Sequence, residues 1–372
     1  MDNEKLSIVA LNTVIDLVPQ KFISLVNYFG NVNNILTADI KEIQSVGFVS
    51  NKIAKAIKDL SSLEVANKEL LLAQKNNIKI LTYLDEEYPD QLKNIYDFPP
   101  VIYVKGKIDK NDIFSVSIVG SRRPTNYGIT VTENFCRYFA QNSITTISGL
   151  ASGIDTQAHM STLKNSGKTI AVLGNGLLEY YPSGNRKLQD EIAQKGAVIS
   201  EFPLTRRPLP VNFPRRNRIV AALSLAAIVI EAAEKSGSLI TAELACEYGK
   251  DVFGVPGPIF SKYSQGPNSL IKQGAFVALK PEDVVEQIPL LNDLVKKKSK
   301  EKKKEPEKNL PLISQSSINI LKMIQSSTVG MSLDEISLKS NVNVSEISTI
   351  LLDLELNGLI KAMPGQIYIR NT

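Results

Sequence analysis

The chain is poor in the side chains that most metal and catalytic sites use. Its 372 residues include two cysteines, one histidine and no tryptophan. Cys136 and Cys246 lie far apart and form no CxxC pair, so we expect no zinc site built from soft ligands. A Ser-His-Asp triad would depend on His159, because the chain offers no other imidazole. The composition therefore disfavours metal-dependent and histidine-dependent mechanisms.

Long apolar runs are also missing. The longest mostly apolar run, residues 219–230, is interrupted by Ser224 and is too short to span a bilayer. The first residues carry neither a basic segment nor a long apolar stretch after it, so we predict no secretory signal, no membrane association and a cytoplasmic location. With 43% hydrophobic and 22% charged residues the composition is that of a globular protein, which excludes a disordered or fibrous chain.

The positive charge is concentrated in one tract. Residues 295–309 contain eight Lys and three Glu, a local charge of +5, which equals the net charge of the whole chain. The tract has no apolar side chain between Val295 and Pro306, so we predict a disordered linker there. A solvated spacer is the favoured interpretation, and weak attraction of phosphates by the lysines is the alternative.

Arginine is distributed differently from lysine. The chain has 33 Lys and only 10 Arg, yet seven of the ten arginines fall in residues 122–123 and 206–218. A guanidinium is planar and permanently charged, and it can contact phosphate with two parallel hydrogen bonds or stack on a base. Both segments also contain proline and aromatic residues, which indicate loops. We therefore interpret them as candidate phosphate-binding loops, with solvated surface loops as the alternative.

The pattern along the chain predicts four segments. Residues 1–60 form a small helical module that resembles helix-hairpin-helix or SAM domains, with the turn Val46-Gly47-Phe48 as a possible but weak phosphate contact. Residues 61–290 form a Rossmann-like domain, and residues 291–311 the lysine-rich linker. Residues 312–372 predict three helices and a β-hairpin, a winged-helix-like module. Its third helix carries Glu346, Asp353 and Glu355 without Lys or Arg, which favours contact with protein over reading of DNA.

The central segment alternates short apolar strands with helices. The predicted strands are residues 116–119, 144–147, 169–173, 197–200, 227–230 and 252–255. Apolar strands separated by helices indicate an α/β fold, a doubly wound parallel sheet with both faces covered. Ligands of such sheets bind outside the carboxyl ends of the strands, which is where Gly, Ser and Arg collect in this sequence.

Two glycine-containing loops follow the first two predicted strands. Gly120-Ser121-Arg122-Arg123 precedes a helix, whose free N–H groups and adjacent arginines suit an anion. It is not GxGxxG, so a dinucleotide is a poor fit. Ser148-Gly149 opens the second loop, whose backbone can approach a phosphate closely. Asp155 and His159 follow four residues apart; an acid–base pair is possible, but capping by Asp155 and local packing of His159 are favoured.

Two further loops follow later strands. Phe213-Pro214-Arg215-Arg216-Asn217-Arg218 combines a ring with guanidiniums, as expected of a base stacked on an aromatic while its phosphates are held. An ordinary core contact is the alternative for Phe213. Lys235-Ser236 opens a loop with hydroxyls near a helix N-terminus, where anion binding and plain capping are equally consistent with the sequence. Together the four loops predict a phosphate-binding groove along one edge of the sheet.

These motifs together resemble the bacterial DNA-processing protein A family (DprA/Smf). The matching stretches include Tyr88-Pro89, Gly120-Ser121-Arg122, SGLASGIDTQAH from Ser148 and VLGNG from Val172. FPRRNR, SGSLITA and VPGP follow in unbroken order, so the resemblance spans about residues 80–280. It implies a non-catalytic, cofactor-free protein that binds single-stranded DNA, forms a homodimer and helps to load the RecA recombinase in natural transformation.

The resemblance also implies which residues line the DNA groove. The family's Gly-Ser-Arg loop and Phe-Pro-x-Arg-Asn-Arg run fall here on the following residues: Gly120, Ser121, Arg122, Phe213, Arg216, Asn217 and Arg218. Charge and loop position add the rest of the predicted DNA-binding set: Arg123, Ser148, Gly149, Arg215, Lys235 and Ser236.

Two other functions remain open from the residues alone. One is a nucleotide-binding enzyme of the phosphoribohydrolase type, with Glu201, Glu231 or Glu243 as the carboxylate near the strand ends. The loop 236–241 keeps only one glycine of the Gly-Gly-x-Gly-Thr pattern of those enzymes. The other is a scaffold whose basic loops contact an acidic partner protein.

Overall fold

The structure is a computed structural model that describes residues 3–47, 49–60, 63–302, 315–327, 330–340, 342–356, 358–363 and 365–370. They divide into two units, residues 1–298 and 299–372. The finer division into four segments, with boundaries at residues 60, 290 and 311, stays a prediction.

A nine-stranded sheet forms the centre of the first unit. Its strands are β1 (Ile78–Thr82), β2 (Val101–Gly106), β3 (Ser115–Val119), β4 (Thr145–Ser148), β5 (Thr169–Val172), β6 (Ala197–Ser200), β7 (Ala226–Val229), β8 (Asp251–Gly254) and β9 (Phe276–Val277). Their order is β1-β2-β6-β5-β4-β3-β7-β8-β9. Strands β3 to β9 are parallel, and β1 and β2 extend the sheet antiparallel beside β6. The predicted doubly wound sheet is confirmed.

The strand order creates a crevice at the carboxyl ends of the central strands. From β3 the chain moves outward through β4, β5 and β6, and then returns to place β7 on the other side of β3. The loops that follow β3 and β7 therefore leave the sheet in opposite directions and open a space between them. This reversal is where doubly wound sheets bind their ligands.

Within residues 3–47, 49–60 and 63–75, six helices precede the sheet: α1 (Asn3–Asn12), α2 (Pro19–Phe29), α3 (Val32–Thr37), α4 (Ile40–Ser45), α5 (Asn51–Lys58) and α6 (Glu64–Lys75). The side chains of Asp39 and Ser50 accept hydrogen bonds from the first turns of α4 and α5, as short polar caps do. Buried Phe22 and Ile53 belong to one apolar cluster with Tyr103 of β2, so these helices pack on the sheet. Phe48, part of the possible phosphate-binding turn, lies outside the described residues.

In the described part of the chain, nine further helices follow β1 and end before residue 303: α7 (Asp90–Lys93), α8 (Asn126–Gln141), α9 (Ile154–Lys164), α10 (Arg186–Lys195), α11 (Asn212–Leu223), α12 (Gly237–Glu247), α13 (Gln265–Lys272), α14 (Pro281–Gln287) and α15 (Pro289–Lys302). Helix α11 contains the arginine run for which the proline and aromatic residues predict a loop. Pro214 is its third residue, a position in the first helical turn where a missing N–H breaks no intrahelical bond. The FPRRNR run therefore follows helical spacing.

Helix α15 corrects part of the prediction that residues 295–309 form a disordered linker. Residues 289–302 are helical because Leu291 is fully buried and Leu294 and Val295 pack against the same apolar cluster. Lys298 donates to the carbonyl oxygen of Gln141 at 3.0 Å and to the Ser143 hydroxyl at 2.6 Å, which ties one lysine of the tract to α8. The linker residues 303–311 lie outside the described part of the chain.

The second unit has the predicted winged-helix elements. Helices α16 (Gln315–Ser326), α17 (Leu333–Ser340) and α18 (Val344–Leu356) enclose a small apolar core, and strands β10 (Met331–Ser332), β11 (Ile360–Met363) and β12 (Ile367–Arg370) form a sheet of order β10-β12-β11. The predicted three helices and hairpin are confirmed, and β10 is an additional strand. None of the helices described in either unit has both the length and the apolar character needed to cross a membrane.

Candidate functional site

A cleft of about 520 Å³ lies at the crevice between β3 and β7. Its walls are the loops that follow β3 and β4 and the first turns of α11 and α12. Eight of the thirteen predicted site residues line it: Gly120, Ser121, Arg122, Gly149, Phe213, Arg216, Asn217 and Ser236. The cleft also includes Asp155, Tyr181, Ser238 and Thr241, which the predicted set omitted.

Arg216 forms the floor of the cleft. Its side chain is buried, and its Nη1 donates to the carbonyl oxygens of Gly149 and Val172, at the ends of β4 and β5. Burial lowers the pKa of Arg216 to about 10, and nearby Asp155 opposes that shift, so the guanidinium stays charged at neutral pH. A Cβ at position 149 would lie 2.5 Å from Arg216 Cζ, so only glycine leaves room for this side chain.

Two aromatic rings form one wall of the cleft. The ring centroids of Phe213 and Tyr181 are 5.3 Å apart with planes inclined by 37°, and we call this pair the aromatic platform. The Arg122 guanidinium carbon lies 5.8 Å from the centroid of Phe213. A Cβ at Gly174 would lie 2.8 Å from Phe213 Cδ1, so glycine at this position makes space for the ring. Phe213 is half-buried and Tyr181 is exposed, so the platform remains open to a flat ligand.

Helix spacing explains which residues of α11 reach the cleft. Phe213, Arg216, Asn217 and Val220 follow one another at intervals of three, one and three residues, and all four line the cleft. Residues at i, i+3, i+4 and i+7 share one face of a helix. Asn217 is fixed on this face by two contacts, because its amide donates to the Gly237 carbonyl oxygen and its Oδ1 accepts from Arg216 Nε, both at 3.1 Å.

Arg215 and Arg218 occupy a different face of α11 and do not line the cleft. Both donate to Glu201 Oε2, Arg215 Nη2 at 2.8 Å and Arg218 Nη2 at 2.5 Å. Arg218 is 3% exposed and also donates to the carbonyl oxygen of Asp97. A guanidinium buried against a carboxylate is not available to an external phosphate, so Arg218 has a structural role here.

Three other predicted residues also lie outside the cleft lining. Ser148 is fully buried, and its hydroxyl donates to the Ile118 carbonyl oxygen at 2.6 Å, which uses its only proton inside the sheet. Arg123 and Lys235 are exposed and follow or precede lining residues in the chain. They can add positive charge near the cleft without forming its wall.

The hydroxyls at the start of α12 cap the helix. Ser236 Oγ accepts from the Ser238 N–H at 3.4 Å and lies 2.8 Å from the Ser238 hydroxyl. The capping interpretation is therefore confirmed. Both residues also line the cleft, so the helix N-terminus faces the space where a ligand would lie.

Asp155 and His159 do not form an acid–base pair. Asp155 lies in the cleft floor, where its Oδ2 accepts from the Ala151 N–H at 3.3 Å and burial raises its pKa. His159 is fully buried behind it, with Nδ1 2.7 Å from the Thr169 hydroxyl. That hydroxyl donates its proton to the Thr146 carbonyl oxygen, so it can only accept from His159. The imidazole proton is therefore on Nδ1, and Nε2 carries no proton. The local-bonding interpretation of His159 is confirmed, whereas Asp155 bonds the preceding loop rather than a helix end.

The three carboxylates considered for an enzyme lie outside the cleft lining. Glu201 is paired with Arg215 and Arg218. Glu231 accepts from the Thr125 N–H at 2.9 Å and from the Thr125 hydroxyl at 2.5 Å, and so supports the start of α8. Glu243 is exposed on α12. The described residues contain no group of three or more His, Cys, Asp or Glu arranged to hold a metal ion.

Comparison with protein families gives two matches that together cover most of the chain. The family described as DNA recombination-mediator protein A matches residues 79–289, and the DprA winged helix domain matches residues 311–366. Protein Smf of Escherichia coli is 39% identical over 293 residues, covering 77% of this chain and 75% of that protein. DNA processing protein DprA of Streptococcus pneumoniae is 45% identical over 202 residues, covering 54% of this chain and 71% of that protein.

Two solved structures share the fold. The X-ray structure of DNA processing protein A from Streptococcus pneumoniae superposes with a TM-score of 0.68 and 35% identity, covering 77% of this chain and 99% of that one. DNA processing protein A from Helicobacter pylori, studied for its single-stranded DNA binding mode, superposes with a TM-score of 0.52 and 32% identity, covering 59% of this chain and 96% of that one.

We predict that His159 makes folding sensitive to acid. Burial lowers its pKa to about 3 in the folded protein, whereas an unfolded imidazole titrates near 6.5. Between pH 6.5 and 3 the imidazole therefore binds a proton in the unfolded chain but not in the folded protein. His159 should thus lower the free energy of unfolding by up to about 1.4 kcal/mol per pH unit between pH 6.5 and 3.

The check is urea unfolding of the natural protein and of His159→Gln from pH 7 to pH 4. The glutamine keeps an amide donor for Thr169 but cannot titrate, and the chain has no other histidine. The difference in unfolding free energy between the two proteins should change with pH in the direction stated. A difference that is constant over this range contradicts a buried neutral imidazole.

Proposed function

The chain belongs to the DNA recombination-mediator protein A family, as its motifs indicated, and we propose that it binds single-stranded DNA in the cleft between β3 and β7. One observation carries the proposal: the aromatic platform lines the same cleft as Arg122 and the buried guanidinium of Arg216, and the Arg122 guanidinium carbon is 5.8 Å from the centroid of Phe213. Aromatic rings and positive charges in one cleft suit a nucleotide, with its base on a ring and its phosphate on the arginines.

The charge of the cleft favours phosphate. Among its lining residues Arg122 and Arg216 carry positive charge and Asp155 is the single acid. The free N–H groups at the starts of α11 and α12 add partial positive charge at the same edge. We propose that all thirteen predicted residues contribute to DNA binding in one of two ways. The eight lining residues would contact the strand, and Arg123, Ser148, Arg215, Arg218 and Lys235 would act by charge or by holding the walls in place.

The platform also supports a preference for the single strand. A base can stack on Phe213 or Tyr181 only when its face is free of neighbouring bases, which a duplex does not allow without unstacking. The relative from Helicobacter pylori is described as having a single-stranded DNA binding mode, and its structural similarity to this chain supports the same ligand here.

We further propose that the bound strand is passed to RecA during natural transformation. The family description as a recombination mediator supports this step. The winged-helix unit carries exposed Glu346, Asp353 and Glu355 on α18, so we propose that it contacts protein rather than DNA. Assembly of RecA on a single strand at a rate unchanged by added protein would contradict the loading step.

We propose a binding protein rather than an enzyme. Glu201 and Glu231 are committed to ion pairs or to a helix start, and Glu243 is exposed away from the cleft lining. The phosphoribohydrolase-like alternative therefore relies on Asp155, whose pKa burial raises. Release of base from a nucleotide by the purified protein would favour that enzyme, whereas binding to single and double strands with equal affinity would favour the scaffold alternative.

We propose a homodimer that forms at the β9 edge of the sheet. Among the described strands β9 pairs with β8 alone, and its Phe276 and Val277 are exposed together with nearby Leu279. An exposed apolar edge strand is a surface that another chain can pair with or cover.

Replacing Arg122 tests the role of positive charge in the cleft. Arg122→Ala should weaken binding of a labelled single strand and reduce the slope of log affinity against log salt by about 0.7, the value for one phosphate contact. Fluorescence anisotropy over a salt series measures both, with the duplex as competitor. Arg137→Ala on α8, an exposed arginine outside the cleft lining, is the matched control and should leave the slope unchanged. An equal slope in Arg122→Ala removes Arg122 from the proposed contact.

Replacing Phe213 tests whether a base stacks on the aromatic platform. Phe213→Ala should weaken single-strand binding by about 1–3 kcal/mol, because the platform loses a ring on which a base can stack. The same anisotropy titration measures it. Phe260→Ala, which truncates an exposed phenylalanine outside the cleft lining, should bind like the natural protein. Normal affinity in a folded Phe213→Ala would assign this ring to packing alone.

Replacing Leu279 tests the proposed dimer interface at β9. Leu279→Glu should shift the protein to monomer in light scattering after size exclusion, because it places charge in the proposed interface. Leu71→Glu changes an equally exposed leucine on α6 and should leave the mass unchanged. A natural protein that is monomeric at micromolar concentration rules out this interface.

A further inference from the structure

Helix α18 of the second unit has two opposite faces of different character. One face is buried in the apolar core of that unit and carries the following residues: Ile347, Ile350, Leu351 and Leu354. Successive residues of a helix are separated by about 100°, so four other residues lie on the opposite side. We call these exposed residues the outer stripe: Ser345, Thr349, Leu352 and Leu356. The two leucines are 57% and 76% exposed.

The outer stripe has the spacing of a surface on which another helix packs. Its residues follow one another at intervals of four, three and four, the intervals at which one helix of a coiled coil contacts the next. Ser345 and Thr349 are small, so a second helix can approach α18 closely over its first half. The Thr349 hydroxyl donates to the Ser345 carbonyl oxygen at 3.1 Å, so its proton is used within α18.

The two leucines form the apolar part of the outer stripe. Scattered exposed leucines are normal on a protein surface and need no explanation. Leu352 and Leu356, however, lie one turn apart on the same side of one helix, where residues at i and i+4 are neighbours. They can therefore be covered together by apolar side chains of one partner helix.

Acidic side chains flank the outer stripe on both sides. By helical rotation Glu346 and Asp353 lie beyond one edge of it and Glu355 beyond the other, and all three are exposed. Helix α18 contains no Lys or Arg. Like charges brought together across an interface are unfavourable, which disfavours the same face of a second copy and the phosphates of DNA as occupants. Charge complementarity favours a helix with Lys or Arg beside its apolar positions.

We propose that the outer stripe of α18 docks an amphipathic helix of a partner protein. Apolar side chains of that helix, three and four residues apart, pack on the outer stripe, and its Lys or Arg side chains lie beside the acids of α18. This inference rests on the proposed contact of the winged-helix unit with protein. It adds which face makes the contact and which side chains the partner carries there.

Two synthetic helical peptides test the proposal. The first has leucines at the heptad intervals with flanking lysines, and the second keeps the lysines but replaces each leucine by glutamine. Each peptide is fluorescently labelled and titrated with the full-length protein by fluorescence anisotropy. The natural protein should bind the leucine peptide roughly tenfold or more tightly than the glutamine peptide, because only the first buries apolar surface on Leu352 and Leu356.

Replacing both leucines tests which face the peptide occupies. The double variant Leu352→Gln, Leu356→Gln should bind the leucine peptide roughly tenfold more weakly, because the stripe loses its apolar part without gaining charge. Leu71→Gln changes an exposed leucine of α6 and is the matched control, with unchanged affinity. Should the double variant fail to fold, Thr349→Lys replaces it, because a positive charge within the stripe repels the lysines of the peptide and gives a comparable loss.

Replacing two acids tests the choice of a basic partner. The double variant Glu346→Gln, Asp353→Asn should bind the leucine peptide roughly three- to fivefold more weakly at low salt, because two exposed charge pairs are lost. Its affinity should also depend less on salt concentration than that of the natural protein. An unchanged salt dependence contradicts the assignment of a basic partner to this face.

Failure of this inference is distinct from failure of the proposed protein contact. Equal affinity of the natural protein for both peptides, or unchanged affinity in the leucine double variant, overturns the inference, and the proposed protein contact then belongs to another surface of the unit. The same variant is also titrated with labelled single-stranded and duplex DNA, which it should bind as the natural protein does. Weaker DNA binding would assign α18 to DNA, and both the inference and the proposed protein contact would fall.

Discussion

Helix α11 is held at the carboxyl edge of the sheet by charged groups buried on two of its faces. On one face Arg216 donates to the backbone carbonyl oxygens at the ends of β4 and β5. On the other face Arg215 and Arg218 donate to Glu201 just beyond β6. A side chain that bonds two strand ends fixes the helix relative to the sheet, so the position of the cleft depends on these contacts.

These contacts explain why the arginine-rich run serves two purposes at once. Loss of one partner of a buried ion pair leaves an uncompensated charge, which is strongly destabilising. Breaking the buried Arg218–Glu201 ion pair to bind a ligand would therefore cost stability. The guanidinium of Arg122 is exposed, and in the proposed function it meets a phosphate beside Phe213. Within residues 215–218, arginines bonded to Glu201 therefore alternate with Arg216, which lines the cleft.

Much of the fold follows from local pattern. Six of the parallel strands, β3 to β8, lie within one residue of their predicted bounds because β-branched runs end at glycine or polar residues. The antiparallel β1 and β2 were not predicted, since pairing at the edge of a sheet depends on partners far away in the chain. Helix α11 was interpreted as a loop because Pro210 and Pro214 flank its start, although the spacing of Phe213, Arg216 and Val220 already had a helical period. Tyr181 was missed because its contact with Phe213 joins residues 32 apart.

The sequence by itself determined the α/β class, the family, the winged-helix unit and the set of loops that meet at one edge of the sheet. Periodicity and composition are local properties, and a run of seven motifs in unbroken order identifies a family without coordinates. Only the tertiary structure decided which arginines line the cleft. That choice depends on where Glu201 and the ends of β4 and β5 lie in space, and on the turn of about 100° per residue that sends Arg215 and Arg216 to different sides of one helix.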